Sequence, residues 1–178
     1  MKDLQLTQNF KLSEFCPSLE VNDYQVQLLQ YLAFQLQIVR DYLQQFGVSG
    51  KTVTIGISSG VRTQADYDRL KKKGYNPSKT SDHFCGLQLD GKPTLGAADI
   101  YVRNCKLNYH DIAAKIIEWD KQGFCSFGQV IYEKNPATGA EWIHLGNDPD
   151  KIFSERINIT RKPYLMSLDN GKTYKEFK

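Results

Sequence analysis

GQVIYEKNPATGAEWIHLG, residues 128–146, reads as two short strands around a turn. Its arms, 128–133 and 141–145, are rich in β-branched and aromatic residues, and KNPATGA between them has the Asn, Pro and Gly content of a hairpin loop. Working outward, residues 97–102 read as a buried strand and 108–122 as an amphipathic helix with Ile112, Ile116, Ile117 and Trp119 on its apolar side. Residues 22–46 form a longer periodic stretch through Val26, Leu29, Leu32, Phe34, Leu36, Val39, Leu43 and Phe46, with Gly47 offered as its C-terminal cap. KTVTIGIS, 51–58, is a strand ending in a Ser-Ser-Gly turn that delivers Arg62 to a surface, and a short helix over 64–73 stops at Gly74. The tail YLMSLDNGKTYKEF repeats the hairpin signal around Asp169-Asn170-Gly171, and Asp90-Gly91 can turn a smaller hairpin between GLQL and KPTL. The sum is a single α+β domain over 1–178, with helices packed on a small antiparallel sheet.

Composition fits that size. The chain has 178 residues, 40% of them hydrophobic and 12% aromatic, which supplies one ordinary core. A formal charge of +3 spread along the chain does not mark a nucleic-acid reader, and Lys71-Lys72-Lys73 reads as a solvated helix face. No run has the length of a membrane span, and MKDLQLTQNF lacks the apolar centre of a secretory signal. A soluble monomer made in the cytoplasm is therefore expected. Cys16, Cys85, Cys105 and Cys125 contain no CxxC pair and are expected to be reduced, mostly buried thiols.

Three histidines are available for chemistry. His110 starts a helix and reads as a solvated or capping residue. His83 follows Ser81-Asp82 in a loop, while His144 is flanked by Trp142, Ile143 and Leu145 and belongs to an interior strand. Zinc needs imidazole or carboxylate donors converging on a tetrahedron, and His83, Asp99 and His144 can supply three. Glu141, three residues before His144, is the nearest base. An odd separation puts the two on opposite faces of a regular strand, so that role requires a bend or bulge near Trp142. Glu133 competes for the role if the hairpin turns it toward the metal. Cys85 can be a fourth ligand, which would close the site, or a packed thiol. On composition alone the plainer reading, a satisfied core or loop histidine, leads.

SSGVRT (58–63), SDHFCG (81–86), GAADI (96–100) and EWIHLG (141–146) occur in an order that resembles the M15 zinc peptidases. The branch it looks like contains D-alanyl-D-alanine carboxypeptidases and bacteriophage endolysins, and NFKLSEF is similar to that branch's opening segment. The resemblance implies the M15 fold, one zinc ion on His83, Asp99 and His144, and Glu141 as general base. It also implies Arg62 as a catalytic and substrate-binding arginine, with Ser81 beside it. The implied activity is hydrolysis of an amide in the peptidoglycan stem peptide, in phage- or prophage-type wall lysis after release or from a virion. A non-catalytic glycopeptide-binding or virion structural module is the alternative. One departure stands out. Fifteen residues separate His83 from Asp99, more than the family usually has, so LQLDGKPTL (87–95) reads as most of an insertion, tolerable as a hairpin and expected to sit beside the cleft.

Overall fold

A computed structural model describes residues 2–74, 77–87, 92–152 and 163–178. Its helices are α1 (Leu12–Phe15), α2 (Asp23–Leu43), α3 (Gln64–Lys72), α4 (Tyr109–Lys121) and α5 (Pro149–Ile152). Its strands are β1 (Thr54–Ser59), β2 (Gly86–Leu87), β3 (Pro93–Thr94), β4 (Ala97–Arg103), β5 (Phe127–Lys134), β6 (Glu141–Asn147), β7 (Tyr164–Ser167) and β8 (Lys175–Glu176). Among the described residues six strands form one sheet in the order β1-β4-β6-β5-β7-β8, and β2 pairs with β3 alone.

The sheet is mixed, which corrects the antiparallel expectation. Hairpins β5-β6 and β7-β8 are antiparallel, as local turn chemistry dictates, but β7 lies parallel to β5, with Val130 opposite Tyr164 and Glu133 opposite Ser167. The chain leaves β6 through α5 and comes back beside β5 running the same way. Parallel neighbours need such a crossover, and no dipeptide signals it.

Alternation along the strands sorts the sheet into two faces. Ala98 and Ile100 of β4, Val130 and Tyr132 of β5, and Ile143 and Leu145 of β6 join the core with α2 and α4. Leu28, Leu32 and Leu36 of α2 and Ile112 and Ile116 of α4 are buried against them. Each such side chain contributes roughly 1.5–3 kcal/mol through burial. The intervening residues, Asp99, Ile131, Glu133, Trp142 and His144, belong to the other face, which is open.

Capping boxes set the helix starts. Asn22 accepts from the Gln25 backbone N–H at 2.9 Å while the Gln25 side chain accepts from Asn22 N–H at 3.0 Å, and Thr63 and Asp66 do the same for α3. The end of α2 differs from expectation: the helix gives way to a 3-10 turn over Gln44–Phe46, and Gly47 has φ −65°, not a left-handed cap. The Gln44 amide instead bonds both backbone groups of Val53, at 3.0 Å each, and ties this end to the approach of β1. Phe34, on the expected apolar side, is 56% exposed, and Leu28 is buried in the seam instead. Among the described residues no helix is long and apolar enough to cross a membrane.

Candidate metal centre

Asp99 on β4 and His144 on β6 are direct cross-strand partners, so both side chains rise from the same spot on the open face. His83 arrives from a 3-10 turn, Asp82–Phe84, capped by the Ser81 hydroxyl. Its ring stands 5.0 Å from that of His144. His83 Nε2 and His144 Nδ1 converge on one oxygen, Asp99 Oδ1, at 3.2 and 2.9 Å. The three ligand atoms lie within 4.8 Å of one another. A tetrahedral zinc with bonds of about 2.0–2.1 Å separates its ligands by roughly 3.3 Å, close to both of those spacings.

The proton inventory makes the same point. His83 Nδ1 is 2.8 Å from the Gly60 carbonyl oxygen, which can only accept, so Nδ1 carries the hydrogen. A neutral His83 then aims the lone pair of Nε2 at a carboxylate oxygen, acceptor against acceptor. A proton or a cation must stand between them. Two nitrogens and a carboxylate, one imidazole already oriented through its outer nitrogen, form a donor set that fits zinc. Burial alone would raise the Asp99 carboxyl, but the charge and hydrogen bonds of the two imidazoles overrule it and hold it far below the ordinary carboxylate range.

The opening segment positions this site. Phe10, Leu12 and Phe15 are fully buried, as a core plug should be. The Phe15 carbonyl also accepts the Val61 N–H at 2.7 Å, fixing the turn whose Gly60 carbonyl holds His83. A Cβ on Gly60 would run into the Phe15 carbonyl. Gly60→Ala is therefore expected to cost about 1–3 kcal/mol of stability. It should also weaken zinc binding by tilting His83; a urea titration and a zinc titration unchanged from wild type would overturn this.

Arg62 and Ser81 come together beside the triad. Arg62 N–H donates to the His83 carbonyl at 2.7 Å, and its guanidinium reaches the Ser81 hydroxyl at 3.4 Å. Burial lowers the Arg62 pKa while Asp99, Asp66 and Glu133 raise it, and a guanidinium so placed stays charged. With the triad they line a cleft of about 1140 Å³.

Glu141 is not in that cleft. The β5-β6 register runs unbroken from Gln129–Gly146 to Lys134–Glu141, so the bulge near Trp142 that its role requires is missing. Glu141 belongs instead to the helix side of the sheet, where it pairs with Lys134 at 2.7 Å. Glu133 takes the cleft position. It pairs with Trp142 across the hairpin and is 8% exposed. Burial first, and then the charge of Asp99, push its carboxyl up to about 7. The even spacing from Ile131, opposite His144, was the available signal for it.

Cys85 is a packed thiol. It is buried, points at the Gln25 carbonyl at 3.9 Å, and burial with the nearby Cys16 pushes it up to about 12. His110 stacks on Phe177 at 4.7 Å, far in role from the triad. The long excursion between His83 and Asp99 is closed at its base by β2-β3 pairing and by a hydrogen bond from the Thr94 hydroxyl to Asp82. Gln25 of α2 donates to the Cys85 carbonyl at 2.8 Å, so the excursion leans on α2. None of the described residues between His83 and Asp99 lines the cleft, and residues 88–91 of the excursion lie outside the described residues. The Asp90-Gly91 turn lies outside the described residues. Comparison of the chain with family models, with curated proteins and with solved structures returned no match.

Proposed function

We propose that this chain is a zinc-dependent metallopeptidase that hydrolyses an amide bond in the peptidoglycan stem peptide, in wall lysis of the phage or prophage kind. The observation that carries the reading is the convergence of His83 and His144 on one oxygen of Asp99 at the floor of a peptide-sized cleft. His83, Asp99 and His144 hold the metal. Zinc held there supplies a Lewis acid and a water acidified to a pKa of about 7.

Glu133, rather than Glu141, is the general base. Its raised pKa suits a group that takes a proton from the attacking water and hands it to the leaving nitrogen, so that one C–N bond is replaced by one C–O bond and a water is consumed. Trp142 stands opposite that carboxylate across the hairpin. Arg62, steadied by Ser81, is a cation for a stem-peptide carboxylate. Cleft residues lie on both sides of the triad, with Arg69 and Pro77 toward α3 and Trp142 and Leu165 toward β5 and β7. Room on both sides favours cutting within the peptide over trimming its end.

Incubating zinc-loaded protein with purified stem peptide and weighing the fragments by mass spectrometry tests the reading and names the bond. Stoichiometric zinc with peptide binding but no cleavage would instead support a non-catalytic glycopeptide-binding module.

A further inference from the structure

The C-terminal turn, residues 168–174, walls the cleft on the Glu133 side through Asn170, Gly171 and Tyr174. Its shape is strongly determined. Asn170 and Gly171 both have positive φ, 62° and 75°. Asp169 accepts from the backbone N–H groups of Lys172 and Thr173 at 3.1 and 2.9 Å and from the hydroxyls of Ser167 and Thr173 at 2.9 and 2.6 Å. The Asn170 N–H donates to the Lys134 carbonyl at 3.0 Å, which docks the turn on β5.

This frame puts the Tyr174 hydroxyl beside the proposed base. A side chain added at Gly171 would meet the Tyr174 hydroxyl at 3.0 Å and Glu133 Oε2 at 3.4 Å, so phenol and carboxylate border the same small space. Among the described residues that hydroxyl makes no hydrogen bond, although burial and the charges of Glu133 and Asp99 push it up to about 12 and keep it a neutral donor. Tyr174 is 49% exposed, so water serves that hydroxyl in the free protein; the rigid turn holds the phenol at the mouth of the cleft, where a bound peptide would take the water's place.

We infer that Tyr174 is a substrate-contacting residue whose hydroxyl donates a hydrogen bond to a backbone carbonyl oxygen of the bound peptide, next to the bond on which Glu133 acts. The inference rests on the peptidase reading for the identity of the peptide, and it extends the site to a strand pair whose sequence shows only a hairpin. Gly171 is part of the device, since any side chain there would fill the space between phenol and carboxylate.

The test is Tyr174→Phe, which removes one hydroxyl and keeps the ring, so the fold is retained. In zinc-loaded wild-type background, kcat/KM for stem peptide should fall at least about tenfold. In zinc-loaded Glu133→Gln protein, which binds without turning over, calorimetry should show the same peptide bound about fivefold more weakly once Tyr174→Phe is added. Cleavage and affinity both unchanged would overturn the inference and leave the peptidase reading standing. Peptide binding that depends on Tyr174, with no cleavage by the wild type, would support the inference and sink the hydrolase. No binding and no cleavage would sink both.

Discussion

Asp99→Ala should lower zinc affinity by about 100- to 1000-fold, the share of one ligand in the proposed three-residue site. Its oxygen faces both imidazoles, at 3.2 and 2.9 Å, so its loss removes the carboxylate of the donor set and the link between the two rings. Asp99→Asn keeps the shape and removes the charge, and it should fall between wild type and Asp99→Ala. Competition with a chelating dye measures all three. Because burying that carboxylate carries a desolvation cost, the metal-free Asp99→Ala protein should not be less stable than wild type by more than its lost hydrogen bonds, about 1–3 kcal/mol. Wild-type zinc affinity in Asp99→Ala would show that the triad is not a metal site.

Why some of this was legible in the sequence and some not follows from how far each signal reaches. Strand alternation is local, and it put Asp99 and His144 on strands with apolar neighbours at Ala98, Ile100, Ile143 and Leu145, leaving both polar side chains to the opposite face. Capping boxes are local too, and they placed the starts of α2 and α3. The meeting of His83 with Asp99 is not local, since fifteen residues intervene. Only the order of SSGVRT, SDHFCG, GAADI and EWIHLG suggested it, and closure by β2-β3 and Asp82–Thr94 explains how the excursion can be long without moving its ends. Pairing of β7 with β5 has no local signature, and through it the DNGKTY turn comes to stand over Glu133. Tyr174 was therefore invisible as a site residue while its turn was plain.

Glu133→Gln should reduce peptide cleavage by roughly 100- to 10,000-fold with zinc still bound, while Glu141→Gln stays within about twofold of wild type. Two carboxylates eight residues apart on one hairpin are separated by strand parity alone. Glu133 shares its face with Ile131 and, across the register, with Trp142 and His144, whereas Glu141 shares the other with Lys134 and Tyr132. The Lys134–Glu141 pair is partly exposed and screened by solvent, so breaking it does not propagate to the cleft. A second readout needs no substrate. In metal-free protein the folded Glu133 carboxyl titrates near 7 against an ordinary 4.5, so the folded state holds that proton more tightly than the unfolded chain. Its contribution to stability is complete below about pH 4.5 and is lost as the pH rises through 7, a decline of about 3 kcal/mol at most. Glu133→Gln should flatten that decline in urea titrations between pH 5 and 8, and Glu141→Gln should leave it in place. If instead Glu141→Gln silences cleavage while Glu133→Gln is active, then the hairpin in solution carries the break in register near Trp142 that the strand pairing here excludes.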